Sequence, residues 1–334
     1  MDELSVALIG CGIMGQDLAR QCAALDQAKM TAVIDVDESL ANKLAQELSA
    51  TAYTDYATML DAARPDAVIV AVPQFVHREV TTAAAQAGAH VFCEKPMAVT
   101  LEDCDAMIAA CQQAGVNLMI GQVCRYHGVH RKVCDLVDSG DLGRPVCMMV
   151  HRVGGPWGGI WARPWRMKFA NTGGGLMEVN AHEIDFMRFV CSDVASVFAR
   201  GGTYVQTEAD YPDNVVLTVA FKNGAIGCLH GSQSSAVGAY GGRVDCTEGG
   251  LNFPTIWGDG AGITVGRFDG DSEFIPAGDL AGEEPVHAEL REFVESIAEK
   301  RPPAITGQDG RAVIEIATAA YRSMETGDRI DLPL

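Results

Sequence analysis

The sequence predicts an α/β protein in two parts. The first is an N-terminal doubly wound parallel sheet, residues 1–122, and the second is an α+β domain on a large, mostly antiparallel open sheet, residues 123–334, whose C-terminal helix is expected to pack back on the first. Three observations carry this. Short apolar runs alternate with helical stretches up to about residue 120. A glycine turn joins the first such run to the first helix. After Gln122 the texture changes to long strand-like stretches separated by Gly- and Asn-containing turns. A chain of 334 residues also exceeds what one hydrophobic core usually organises.

Val6 to Ile9 is an apolar run of the kind a buried parallel strand shows, and Gln16 to Leu25 reads as the helix after the glycine turn. Met30 to Ile34 is a second strand closing on Asp35, Glu38 to Leu48 is helical, and Tyr56 to Leu60 begins a short helix. Asp66 to Val72 is a strand stopped by Pro73. Val76 to Ala87 is an alanine-rich helix closed by Gly88, and His90 to Cys93 is a strand leading into Glu94-Lys95-Pro96. Leu101 to Ala114 and then Asn117 to Ile120 complete the first part as helix and strand.

In the second part, strands are expected at Pro145 to Val153, Val194 to Arg200, Asn214 to Phe221, Ala225 to His230 and Gly242 to Thr247. Helices are expected at Val129 to Ser139, Met177 to Val190, His287 to Glu299 and Asp309 to Thr326. The strands should form a mostly antiparallel sheet with helices on one face. Its other face needs cover, which predicts a homodimer or homotetramer through the open sheet.

Hydrophobic residues make up 48% and charged residues 21%, the usage of a folded soluble protein. A formal net charge of −19 works against nucleic acid and anionic membrane surfaces, which are held by Lys and Arg. Eleven scattered cysteines without a C-x-x-C pair point to reduced thiols and no structural metal. An acidic start, Met1-Asp2-Glu3, and no apolar run of spanning length point to a cytoplasmic protein.

Three groups of residues carry chemistry. In Gly10-Cys11-Gly12-Ile13-Met14-Gly15 the first glycine permits the turn, the second lets backbone approach a pyrophosphate, and the third allows close helix-to-strand packing. The phosphates then lie at the positive end of the helix. Asp35, about 20 residues on at the end of the second strand, suits a ribose 2′-hydroxyl and repels a 2′-phosphate, so NAD is favoured over NADP. The carboxyl ends of two further strands, at Val72-Pro73 and at Glu94-Lys95-Pro96, are where such sheets bind ligands. Finally, Gly173-Gly174-Gly175 opens the segment predicted as one helix, which puts Glu178 and His182 one turn apart on one face, spacing suited to an oriented general base.

Together these motifs resemble the Gfo/Idh/MocA family, the glucose-fructose oxidoreductase and inositol dehydrogenase-like enzymes, over essentially the whole chain. The segment from Gly307-Gln308-Asp309-Gly310 to Gly327 is similar to the family's C-terminal helix. The resemblance implies a Rossmann cofactor domain, with cofactor contacts from Gly10, Gly12, Ile13, Met14, Gly15, Asp35, Val72, Pro73, His77, Glu94, Lys95 and Gln122. It implies a nicotinamide at the domain cleft, His182 as acid and base, Lys95 holding the reacting oxygen, and Glu178 as a third catalytic residue where the family usually has Asp. Trp165 and Arg166, in a segment holding three of the four tryptophans, are expected substrate contacts, as are Arg125, Tyr126 and His151.

The function expected is hydride transfer between a ring hydroxyl carbon of a sugar, sugar derivative or inositol and NAD. Two other readings stay open: an NAD-dependent glycosidase or lyase using transient sugar oxidation, and a non-catalytic NAD-binding sensor of the same fold.

Overall fold

The computed structural model describes residues 3–268, 270–280 and 282–334; the acidic start Met1-Asp2 lies outside them. In chain order the elements begin β1 (Leu4–Ile9), α1 (Ile13–Ala23), β2 (Ala28–Ile34), α2 (Glu38–Leu48), β3 (Thr51–Tyr53), α3 (Tyr56–Ala63) and β4 (Ala67–Val70). Next come α4 (His77–Gln86), β5 (His90–Glu94), α5 (Leu101–Ala114), β6 (Leu118–Gly121), α6 (Gly128–Asp138), β7 (Pro145–Val153), α7 (Phe169–Thr172), α8 (Gly174–Glu178) and α9 (Ala181–Val190). Strands β8 (Val194–Gly202), β9 (Asn214–Phe221), β10 (Ile226–Ser232), β11 (Ala239–Cys246), β12 (Gly249–Phe253), β13 (Gly262–Arg267) and β14 (Glu273–Pro276) follow, then α10 (Pro285–Ala298), α11 (Gly307–Thr326) and β15 (Ile330–Asp331).

The chain forms two compact units, Met1–Val123 with Glu283–Ala312, and Cys124–Gly282 with Val313–Leu334. The sequence reading placed a boundary near residue 122 with a C-terminal helix packing back on the first domain; contacts place three boundaries, because α10 packs on α1 and Phe293 meets Phe92 edge to face at 5.8 Å. A fully buried Phe contributes about 2–3 kcal/mol, enough to hold that helix on the first unit.

In the first unit six strands run in the order β3-β2-β1-β4-β5-β6, all parallel. The central strands are apolar on both faces, and β4 is buried at every residue. Helix starts follow local capping: Asp37 accepts from the Ser39 and Leu40 amides, and Thr100 accepts from the Asp103 amide. Strand β3 was missed by the sequence reading because three residues with an exposed first position show no period.

The second unit carries a nine-stranded sheet, ordered β14-β13-β12-β11-β7-β10-β9-β8-β15, antiparallel except for the central β7/β10 pair. One face meets the helices: a Cβ on Gly227 would strike Met187 of α9, and one on Gly231 would strike Asn180. By alternation, Cys147, Met149 and His151 of β7 point the other way, with Ile226, Cys228 and His230 of β10 beside them. This open face is apolar, with Met149 47% and Ile226 57% exposed, and it holds a shallow pocket of 390 Å³ that Arg329 borders. Strands β12 to β15 escaped the sequence reading; β14 is largely exposed and β15 has only two residues.

Candidate active site

The glycine turn closes β1 onto α1 for separable reasons. Gly10 has φ +103°, and a Cβ there would strike the Ala71 carbonyl; a Cβ on Gly15 would strike the carbonyl of Gly10. Gly12 is different, since its φ of −66° suits any residue and a Cβ there meets no atom within 4 Å. Packing therefore requires two of the glycines, and the third faces open space at the first turn of α1. No side chain caps that turn and no acidic residue sits in it, while Ile13 and Met14 stand 52% and 41% exposed. An uncapped helix start with backbone open beside it fits a dinucleotide pyrophosphate.

Asp35 fixes the turn from the end of β2. Its Oδ2 accepts from the Cys11 amide at 2.8 Å and its Oδ1 from the Asp37 amide at 2.9 Å. Beneath it, burial with the nearby Asp35 charge raises the Cys11 thiol to about 12, so Cys11 is packing material.

Val72 and Pro73 follow β4, and Glu94 ends β5, where its carboxylate accepts from the Lys95 amide at 3.0 Å. The Lys95–Pro96 peptide is cis. His77 lies under this region: it is 1% exposed, its Nε2 meets the Val72 carbonyl at 2.8 Å, and its Nδ1 lies 3.0 Å from the Pro96 carbonyl. Burial, opposed by those carbonyls and aided by Lys95, holds its pKa below the ordinary histidine value. Both ring nitrogens are thus spent on backbone, and His77 joins the β4 and β5 ends from below. Gln122, just after β6, is buried at 1%.

In the second unit the segment expected as one helix is two. Helix α8 ends at Glu178, Asn180 has φ −91° and ψ 7°, and α9 starts at Ala181, so Glu178 and His182 are not successive turns of a single helix. The break arises because the amides of Val179 and Asn180 both bond the Gly175 carbonyl, ending the α8 ladder early. Gly174, at φ +74°, has the Tyr321 hydroxyl where a Cβ would stand, and that hydroxyl accepts from the Leu176 amide at 3.0 Å. His182 is buried at 9% in the first turn of α9.

Arg166 donates to Glu178 across 3.2 Å, and its guanidinium lies 5.1, 4.9 and 5.1 Å from the ring centres of Trp157, Trp161 and Trp165. Tyr211 ties the cage together, accepting from Trp157 Nε1 at 3.3 Å and donating to the Arg166 carbonyl at 2.8 Å. The indole faces expected to meet a sugar are in contact with Arg166 instead.

Arg125 is engaged elsewhere: it forms a bidentate pair with Asp185 at 2.6 Å on both sides and lies over the Phe189 ring at 4.6 Å. Tyr126, one residue on, is half-buried. His151 sits on the open sheet face opposite His230, away from α8 and α9, so the structure groups Arg166 with Glu178 but does not bring His151 to them. Sequence reasoning missed Asn180, Glu183 and Tyr240 as site builders, although the first two lie inside the motif around His182. Among the described residues no group of three or more His, Cys, Asp or Glu side chains could hold a metal, and no helix is long and apolar enough to cross a membrane.

Residues 4–122 match the oxidoreductase family with an NAD-binding Rossmann fold, and residues 130–252 match the Gfo/Idh/MocA C-terminal domain. The chain is 28% identical over 330 residues to a myo-inositol 2-dehydrogenase of Thermotoga maritima, covering 96% of each chain. It is 31% identical over 276 residues to a 1,5-anhydro-D-fructose reductase of Ensifer adhaerens, covering 80% of each. A 2,7-anhydro-N-acetylneuraminate hydratase of Mediterraneibacter gnavus is 32% identical over 57% of this chain and 50% of its own. Among solved structures, the aldose-aldose oxidoreductase of Caulobacter crescentus, complexed with glycerol, superposes with a TM-score of 0.88 at 26% identity over 99% of this chain and 100% of that one. The two matched regions and the relatives that span nearly all of the sequence agree with the glycine turn and the two sheets: the chain is an NAD-binding oxidoreductase of the Gfo/Idh/MocA family.

Proposed function

We propose that the protein moves hydride between a ring CH–OH carbon of a sugar, sugar derivative or inositol and NAD, with His182 as acid and base. The observation that carries this is a buried histidine at the start of α9, in a chain whose cofactor-binding unit also carries a lysine directly after β5. NAD, held by the turn from Gly10 to Gly15 and by Asp35, supplies the hydride acceptor. His182 takes the hydroxyl proton, and the Lys95 ammonium stabilises the negative charge that develops on that oxygen. In the reverse direction His182 returns the proton. Glu178, paired with the caged Arg166, accepts a neighbouring substrate hydroxyl and so orients the ring. The relatives' activities on inositol and anhydrofructose support a cyclic polyol or sugar, and the open sheet face supports a homo-oligomer.

The test is a panel of cyclitols, aldoses and glycosides followed by NADH absorbance. Turnover on one or more, lost by orders of magnitude in Lys95→Ala and His182→Ala with folding retained, is the expected result. Near-normal turnover in either variant overturns the assignment. The hydratase relative favours one second reading, redox-neutral chemistry through transient oxidation, which would consume substrate with no net NADH.

A further inference from the structure

One residue past His182 stands a carboxylate that the proposed chemistry does not use. Glu183 is 1% exposed, and its side chain is fully enclosed in the second unit. Two donors converge on it. Asn180 Nδ2 donates to Oε2 at 2.8 Å and Arg152 Nη1 donates to Oε1 at 3.3 Å, and the Glu183 charge adds to burial in raising the pKa of the nearby Tyr240 hydroxyl.

These partners come from three elements that surround the α8/α9 break. Asn180 is the residue at the break itself. Arg152, on the helix-facing side of β7, also donates to the Val179 carbonyl at 3.3 Å, a group left without a helical partner where α8 stops. Tyr240 stands on β11, opposite Arg152, with the guanidinium 5.0 Å from its ring centre. Gly231 on β10 completes the arrangement, since a Cβ there would run into the Asn180 amide. The cluster therefore bonds the end of α8, the break and the first turn of α9 to the rigid sheet.

We infer that Glu183 is a positioning residue, which through Asn180, Arg152 and Tyr240 sets where α9 begins and so where His182 stands relative to Glu178. This inference rests on the proposed role of His182. A buried carboxylate is costly to hold in an interior, and here two donors offset that cost on a segment that could otherwise continue as one helix. A continuous helix would place Glu178 and His182 by its own pitch; the break lets the sheet set their separation instead. A displacement of about 1 Å at an acid–base group is enough to cost about 100-fold in turnover.

The test compares Glu183→Gln, Arg152→Met, Arg152→Lys and Gly231→Ala with wild type. The readout independent of substrate is the diethylpyrocarbonate modification rate of His182, followed by mass spectrometry, with the buried His77 of the first unit as internal reference and the thermal melt as the check on general loosening. In Glu183→Gln and Gly231→Ala, the His182 rate should change at least about threefold while His77 holds. Gly231→Ala reaches the cluster from the sheet with no change of charge, so it serves if Glu183→Gln fails to fold. Arg152→Lys, which keeps a donor, should behave as wild type, and Arg152→Met as Glu183→Gln. With the substrate identified by the panel, kcat should fall about 100-fold with KM and NADH affinity little changed. An unchanged His182 rate in both Glu183→Gln and Gly231→Ala overturns the inference, as does a general loss of protection that His77 shares. Full turnover in His182→Ala would instead overturn the proposed function, and the modification rates do not depend on that result.

Discussion

Arg166 and Glu178 form an ion pair inside a wall of tryptophan: the nitrogen-to-oxygen distance is 3.2 Å, and the two side chains are only 16% and 7% exposed. Three indoles line the guanidinium, so the cation is packed as well as paired. The pair couples the tryptophan segment to the end of α8.

Replacing Arg166 by Met removes the cation from a buried carboxylate and leaves the cage without its occupant. The expected loss is about 3 kcal/mol in urea unfolding, with Arg166→Lys losing less because it keeps the charge but not the planar stacking. A loss below about 1 kcal/mol in Arg166→Met would show that the pair is solvent-screened and does not organise this region.

The glycine turn makes a prediction that separates folding from binding. Gly12→Ala meets no protein atom and keeps an ordinary φ, so stability should stay within about 0.5 kcal/mol while NAD affinity falls at least about tenfold. Gly15→Ala collides with the Gly10 carbonyl and should destabilise the first unit itself. Calorimetric NAD titration beside thermal melting distinguishes the two, and equal NAD affinity in Gly12→Ala and wild type would sink the pyrophosphate assignment.

The parallel sheet was legible because its signals are local. Buried strands such as Ala67–Val70 are continuous apolar runs, and helices such as Glu38–Leu48 and Leu101–Ala114 begin at side-chain caps. The region around His182 was legible in residue types but not in shape. Nothing in the spacing of Glu178 and His182 shows that the Val179 and Asn180 amides share the Gly175 carbonyl, nor that Arg152, some 30 residues earlier, satisfies Val179. Likewise, the indoles and arginines of 157–166 read as a sugar platform until the fold folded them on one another. Pairings between side chains distant in sequence are tertiary facts, and the local pattern does not contain them.

Arg125 and Asp185 test whether a residue first read as a substrate contact is structural. Their bidentate pair is 9% and 2% exposed. Arg125→Met should cost about 3 kcal/mol, because a buried carboxylate loses its cation, and the double variant Arg125→Met/Asp185→Leu should recover most of that loss. Substrate KM measured on the double variant then isolates any contribution of Arg125 to recognition; a KM close to wild type is expected.

Acid stability should carry the mark of His130. The ring is 2% exposed, packed edge to face on Phe186 at a centroid distance of 4.4 Å, and its Nδ1 is buried without a hydrogen-bond partner. Burial, reinforced by His127 and Arg152, depresses its pKa from 6.5 to about 3. The unfolded chain binds a proton at this position below about pH 6.5 and the folded chain does not, so unfolding becomes easier as pH falls, by about 1.4 kcal/mol per pH unit. The fully buried His77, shifted in the same direction, adds to the slope. His130→Phe keeps the packing and deletes the titrating group, so its stability advantage over wild type should widen as pH drops from about 6 to about 4. Parallel denaturation curves across that range would show instead that His130 takes up its proton in the folded protein.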